Sequence, residues 1–430
     1  MAADLLGDCL ARHGAGGPWT LDLPDGPPPS GGIIIPSLAE STSLPLLLDS
    51  LRADRSLPSS GLAVVFVVNN RADASPGEKT DNLASLSLLR SLRPALPFPL
   101  GIVDAASPGL CLPSKDGGVG LARKLGHDLL LPRLDFRRGD PVLVSLDADT
   151  LVEPGYAGAL MAHFRTASAG GAVIPFAHRT GETEREDSAI TRYELFLRCY
   201  VSGLRYAGSP YAFHTVGSAM ACRVSAYLRC GGMNRRRAGE DFYFLQSLAK
   251  TSGIQQVNGA AVSPSPRRSG RVPFGTGRAV GALLDGGPEA VLFYRPECYR
   301  LLRDWLALAS EGCRRSTPDL TGEVRELSPR LYDFLIEQRF PAAWEGFLRH
   351  HKDESRRLRA FHGWFDAFRT MKLFHCLADG TYPRLPAEEI VATWPEAWGG
   401  RELSPVERLH QLRLRQNRPG TGDGVCGYAG

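Results

Sequence analysis

The apolar run Val142-Leu143-Val144-Ser145-Leu146 ends on Asp147-Ala148-Asp149-Thr150. Carboxylates spaced i, i+2 at the end of an extended segment point to one side of it. In open α/β sheets, ligands bind beyond the carboxyl ends of the strands. Two hard oxygen donors at that position suit a divalent cation, most naturally one that carries a phosphate. A second acidic pair, Glu240-Asp241, follows Gly231-Gly232-Met233 and Ala238-Gly239. A helix is expected to begin there, and its dipole favours ionised carboxylates in the first turn. Three arginines, Arg267, Arg268 and Arg271, lie in the Gly-rich stretch from Pro266 to Gly277, within a Gly-, Ser- and Pro-rich segment from Pro264 to Gly281. A mobile loop of that make-up is suited to close over a diphosphate.

The elements that must position these groups alternate in type. Gly32-Ile33-Ile34-Ile35-Pro36 reads as a short buried strand closed by proline. Leu44, Leu47, Leu48 and Leu51 recur at helical spacing and predict a helix over 44–51. Further strands are expected over 62–68, 100–103 and 142–146, and helices over 83–92 and 119–129. In the last helix Val119, Ala122, Leu125 and Leu129 share one face, with Arg123 opposite. Wholly apolar strands alternating with amphipathic helices imply a parallel sheet covered on both faces. Glu40, Asn69, Asp104 and Asp147 stand at or just past the four strand ends, which is the layout of a nucleotide site. No G-x-G-x-x-G follows the first strand, and no G-x-x-x-x-G-K-[ST] occurs. That argues against a dehydrogenase and against a phosphate-loop ATPase.

Beyond Thr150 the pattern is mixed. A strand is expected over 172–176, and a helix over 192–204 with Tyr193, Leu197, Tyr200 and Leu204 inward. A strand or turn is expected over 214–223, opening on His214, and a helix over 242–250. From 286 the chain reads as helical. Cys298, Leu301, Leu302, Trp305 and Leu308 form one stripe, and Leu358, Phe361, Phe365, Phe368 and Met371 another. Ser328-Pro329 has the composition of an N-cap and first turn. The chain thus divides into four segments: a loose stretch at 1–31, where Pro24 to Pro29 discourage regular structure; an α/β domain at 32–285; a helical region at 286–400; and a flexible tail at 401–430.

The 430 residues leave room for one large domain and a smaller one. A net charge of +4 spread along the chain leaves no footprint for nucleic acid or a membrane surface. The chain has 44 Arg against 6 Lys, beside 47 Gly and 32 Pro. That bias reads as codon usage, so arginine richness alone says nothing of function. The nine Cys stand singly, without C-x-x-C pairs, which points to a reduced, cytoplasmic compartment and away from structural zinc. Met1 to Gly17 lack a signal-type apolar core, and no apolar run reaches the ~18 residues of a transmembrane helix.

Four pieces occur in order: Ile33-Ile34-Ile35-Pro36-Ser37-Leu38-Ala39-Glu40, Gly117-Gly118-Val119-Gly120-Leu121-Ala122-Arg123-Lys124-Leu125-Gly126, Ser145-Leu146-Asp147-Ala148-Asp149-Thr150, and Gly231-Gly232-Met233 with Ala238-Gly239-Glu240-Asp241-Phe242-Tyr243. Over residues 32–250 the chain resembles the family 2 glycosyltransferases of the GT-A fold. The resemblance implies an α/β, GT-A type nucleotide-binding fold with a mostly parallel central sheet. It implies a nucleotide-sugar donor, a divalent metal (Mn2+ or Mg2+) bridging its diphosphate, and transfer to a hydroxyl of a carbohydrate, lipid or other acceptor. Asp149 matches the metal-binding position, Asp147 the position that contacts ribose or the metal, and Asp241, beside Glu240, the general base. Glu40, Asn69, Asp104, Arg123, Arg267 and Arg271 are the remaining candidates for donor contacts, and His214 for a further metal ligand. Two departures stand out. Asn69-Asn70 replaces the Asp-Asp-Gly-Ser of many relatives, and the Q-x-x-R-W element of processive members is absent, so a non-processive enzyme is expected.

An inverting transfer is expected. A retaining one stays open, because stereochemistry depends on where the acceptor sits. A nucleotidyltransferase would need a Gly-rich basic loop after the first strand, where Pro36-Ser37-Leu38-Ala39-Glu40 stands instead. A non-catalytic carbohydrate-binding protein on the same fold is disfavoured by the joint presence of Asp147, Asp149, Glu240 and Asp241.

Overall fold

The computed structural model describes residues 2–271, 275–394 and 403–417. They fall into two compact units. One comprises the chain up to 181, residues 215–278 and the end from 416; the other comprises 182–214 and 279–415. The helix Glu184–Tyr206 therefore groups with the C-terminal helices, although the expected domain boundary lay at 285.

The first unit is built on strands β1 (Leu21–Asp22), β2 (Gly31–Ser37), β3 (Leu62–Asn69), β4 (Leu100–Ala105), β5 (Val142–Ser145), β6 (Leu151–Val152), β7 (Gly171–Val173), β8 (Met220–Arg223), β9 (Ile254–Gln256) and β10 (Val262–Ser263). Eight of them form one sheet in the order β1-β4-β3-β2-β5-β8-β7-β9, while β6 and β10 pair separately. The central run β4-β3-β2-β5 is parallel, and β8 enters antiparallel between β5 and β7. β2 and β3 are buried along their whole length, as continuous apolar runs in a sheet covered on both faces must be. The helix Leu44–Ala53 buries the four leucines that its spacing singled out. This is the α/β class with a parallel centre and a helical C-terminal region.

Several expectations need correction. β2 does not stop at Pro36 but runs on to Ser37. The β5 ladder ends at Ile34 opposite Ser145, so the N–H that Pro36 lacks has no partner to lose on that side. The segment before β2 carries a helix, Ala2–His13, and β1, which pairs with β4. The helix Val119–Leu130 is not one-faced: it packs on β2 and β3, and Arg123, Lys124, His127 and Asp128 are all buried. Most of those polar groups are matched, with Arg123 Nε and His127 Nδ1 left without a partner among the described residues. Lys124 pairs with Asp128 at 3.0 Å, Tyr227 donates its hydroxyl to Asp128 at 2.7 Å, and His127 Nε2 lies 3.2 Å from Ser145 Oγ. Burial, with Arg123 and Lys124 nearby, pushes His127 down to about 3, so it is neutral at physiological pH.

The second unit is helical around an aromatic core that includes Trp305, Trp344, Phe361 and Phe374. In the helix Glu184–Tyr206 Leu204 is buried and the half-buried Tyr193 and Tyr200 pack against buried cores, as expected; Leu195 and Cys199 are buried as well, and Leu197 is half-buried. Ser328 caps its helix through Leu331 N at 3.2 Å, with Pro329 first, as its composition suggests. The stripe from Leu358 to Met371 spans two helices, because Asp366 caps a new one by accepting from Arg369 N. The expected tail contains the helix Pro405–Asn417, whose Arg413 donates two hydrogen bonds to Glu194 at 2.7 and 2.6 Å. Residues 401–402 and 418–430 of that tail lie outside the described residues. Among the described residues no helix is long and apolar enough to cross a membrane.

Candidate active site

Parallel strands place their C-terminal loops on one edge, and there the acidic residues gather. β5 delivers Asp147 and Asp149, and β2 delivers Glu40 through a tight turn. The helix Glu240–Ser252 begins at Gly239, which takes a left-handed φ of 69°, and it presents Glu240 and Asp241 in its first turn. Two arginines tie these pieces together in different ways.

Arg123 is 2% exposed and forms a buried bridge. One guanidinium nitrogen donates to Asp147 and the other to Glu240 at 2.7 Å. Burial pulls its pKa down, but Asp147, Glu240 and Asp241 outweigh burial and hold it above the ordinary arginine value. Two glycines make room. A Cβ on Gly120 would stand 2.3 Å from the Arg236 carbonyl, and one on Gly217 would stand 2.5 Å from the Arg123 guanidinium. Arg123 thus serves the acidic cluster rather than standing free for a phosphate. Burial raises Glu240 to about 7, against the pull of Arg123 and with Asp241 adding to the rise. Asp241, whose Oδ1 accepts from Phe242 N at 2.8 Å, is also raised by burial. The helix dipole was expected to keep it readily ionised; burial outweighs that favour.

Arg267 forms a more open bridge. It donates to Asp149 Oδ2 from Nε at 2.9 Å and pairs with Glu40 Oε1. Arg271 also pairs with Glu40 Oε1 and donates to the Ala39 carbonyl at 2.9 Å. Arg267 and Arg271 keep about a third of their side-chain surface, at 33% and 31%. Burial raises Asp149 to about 6, partly offset by Arg267. Glu40 is 5% exposed, and its Oε2 has no partner among the described residues. The expected loop over 264–281 is shorter than its composition implied, because a helix starts at Thr276; Val272 to Phe274 lie outside the described residues.

The other candidates separate from this cluster. Asn69 donates its amide to the Ser37 and Val67 carbonyls at 3.2 and 3.0 Å, which knits β2 to β3. Asp104 accepts from Ala106 N, Ser107 N and Ser107 Oγ at 3.1, 2.9 and 2.7 Å, so its carboxylate serves its own turn. His214 is the last residue of the 182–214 segment, which is grouped with the second unit. Sequence reasoning missed Asp81 and Asn82, which hold the turn around Glu40. No motif flags an Asp-Asn pair in the middle of a helix. Nor does any signal show that Ala39 sits at φ 51°, a left-handed conformation that costs a non-glycine residue about 1 kcal/mol.

Among the described residues no three His, Cys, Asp or Glu side chains converge as a ready-made metal cage. Asp147 Oδ2 and Asp149 Oδ1 nevertheless have no protein partner among the described residues, since Arg123 and Arg267 engage the other oxygen of each. Two carboxylate oxygens completed by phosphate oxygens are a donor set that Mg2+ and Mn2+ accept.

No family model matches the chain, and no curated protein does. Among solved structures it is similar to S. aureus TarS 1-349 in complex with UDP-GlcNAc, at 12% identity over 79% of this chain and 91% of that one, with a TM-score of 0.39. It is also similar to the mannosyltransferase PcManGT from Pyrobaculum calidifontis in complex with GDP-Man and Mn2+, at 15% identity over 85% and 97%, with a TM-score of 0.35. Likenesses this weak carry no argument, and function has to be read from the site's own geometry.

Proposed function

We propose that the chain is a glycosyltransferase of the GT-A type that moves a sugar from a nucleotide-diphosphate sugar to an acceptor hydroxyl with inversion. The observation that carries this reading is the interleaving of Glu40, Asp147, Asp149, Glu240 and Asp241 with Arg123, Arg267 and Arg271 beyond the ends of β2 and β5. Asp149 and Asp147 would hold a divalent cation through their unpartnered oxygens. Bound there, the ion would offset the charge that builds on the departing diphosphate.

The protein's own groups do the rest. Arg267 and Arg271 are half-buried, and their partners are carboxylates and a carbonyl. They supply guanidinium forks that match phosphate oxygens. Glu40 Oε2 offers an acceptor to a donor hydroxyl. Asp241 takes the proton of the attacking acceptor, and Arg123 fixes Asp147 and Glu240 around it. A carboxylate raised by burial is a stronger base once ionised, which suits that task.

The test is a thermal-shift screen of nucleotide sugars with Mn2+ and Mg2+, followed by product analysis. A metal-dependent rise in Tm with one donor and an inverted anomer in the product are expected. No rise with any donor would refute the reading, and a retained anomer would replace inversion with retention.

A further inference from the structure

The helix Pro76–Leu92 carries no residue of the cluster described above, yet it reaches the turn that presents Glu40. Asn82 is fully buried, and its amide is used on both sides. Its Oδ1 accepts from Ala39 N at 2.8 Å. Its Nδ2 donates to the Asn69 carbonyl at 3.0 Å and to Asn70 Oδ1 at 2.9 Å. The preceding residue, Asp81, accepts from Ser41 N at 3.0 Å and from Ser41 Oγ at 2.6 Å. The residues on both sides of Glu40 are thus clamped by one helix. Between the clamps, the Glu40 carbonyl accepts from Ser43 N and Leu44 N at 2.9 and 3.0 Å. The helix itself is anchored by a capping box of Ser75 and Glu78.

This clamp holds a conformation the chain resists. Ala39 is one of only two non-glycine residues with positive φ among those described. Such a residue persists where its surroundings over-determine it, and it marks a place where backbone geometry matters. Here the geometry sends Glu40 inward, with Oε1 gathering Arg267 and Arg271 and Oε2 buried without a partner among the described residues. We propose that Asn82, seconded by Asp81, is a positioning residue that fixes the left-handed turn at Ala39 and so aims Glu40 at the donor. The inference rests on the donor-site reading and deepens it. Asn82 touches no donor group; it acts through Ala39 and Glu40.

Asn82→Ala removes the acceptor of Ala39 N–H and leaves the strained turn without its tie. Binding of UDP and GDP with Mn2+, followed by calorimetry, should weaken roughly tenfold, the size expected for a lost buried hydrogen bond. KM for the donor should rise by a similar factor while kcat changes far less. Glycine adopts positive φ without penalty. Adding Ala39→Gly to Asn82→Ala should therefore return most of the affinity, which a purely structural role for Asn82 would not allow. Asp81→Ala leaves the buried amide intact and should weaken binding less than Asn82→Ala does. Wild-type affinity in folded Asn82→Ala, or a double variant no better than the single one, would overturn the proposal. Hydrogen exchange at the Ala39 amide provides a readout that needs no ligand. It should be slow in the wild type and faster in Asn82→Ala. If the wild type binds neither nucleotide but the exchange difference is present, the donor reading fails and Asn82 only holds a turn. If the exchange rates are equal, the clamp itself is refuted.

Discussion

The two arginine bridges look alike on paper, each a guanidinium between two carboxylates. Their surroundings differ. Arg123 and Glu240 are buried to 2% and 5% of their side-chain surface, whereas Arg267 keeps 33%. A buried pair has no water to fall back on, so breaking it leaves a bare charge. Arg267 and Arg271 are open on the arginine side only, so each guanidinium can turn to water or ligand more cheaply than Arg123 can. Glu40 is buried, and Asp147 is the exposed partner of Arg123. Arg123 is therefore a fixed pin, and Arg267 and Arg271 are groups free to change partners. The fixed pin joins β5 to the helix carrying the proposed base. The exchangeable pair faces the place proposed for the diphosphate.

Removing the proposed base beside the fixed pin should have the largest effect. Asp241→Asn should keep donor and metal binding but lose ~10²–10⁴-fold in transfer rate, measured under saturating donor. A wild-type rate would show that Asp241 is not the base. Next, Arg123→Ala should cost about 3–5 kcal/mol in urea or guanidinium unfolding, because Glu240 is stranded in the interior. Arg271→Ala, on the exchangeable side, should leave stability almost unchanged. It should weaken binding of the nucleoside diphosphate by roughly tenfold while the bare nucleoside binds as before. Equal losses for both ligands would remove Arg271 from the phosphate.

The smallest effect is in pH. Glu240 is raised to about 7, so the folded protein retains a proton that the unfolded chain has already released. The stability this contributes is fully present below the ordinary carboxylate range and is lost as pH rises through about 7. Asp147, Asp241 and Arg123 face the same carboxylate. The wild-type Tm should decline across that window, and Glu240→Gln should flatten the decline. An unchanged slope in the variant would place the titration elsewhere.

Much of this was legible in the sequence. The strands from β2 to β5 are apolar runs bounded by polar residues, and the four leucines of the helix Leu44–Ala53 could face only one way. Asp147, Asp149, Glu240 and Asp241 announced themselves by spacing. What stayed hidden depends on contacts distant in sequence. Nothing in Arg267 shows that it meets Glu40, nor in Asn82 that it holds Ala39. The helix Pro405–Asn417 is strongly polar, and its tie to Glu194 runs through Arg413, so its sequence reads as a tail. The helix Glu184–Tyr206 groups with the helical unit, and nothing in its own stripe shows which unit it covers.

The strand-end carboxylates are proposed to hold a cation and a nucleotide sugar together. Calorimetric titration of UDP- and GDP-linked sugars into the wild type and Asp149→Asn, each with and without Mn2+, tests this most directly. Burial already disfavours the charge on Asp149, so the asparagine variant should stay folded. The wild type should bind one donor class only when Mn2+ is present, and Asp149→Asn should lose that dependence along with the binding. Equal, Mn2+-dependent affinity in both proteins would contradict the proposal.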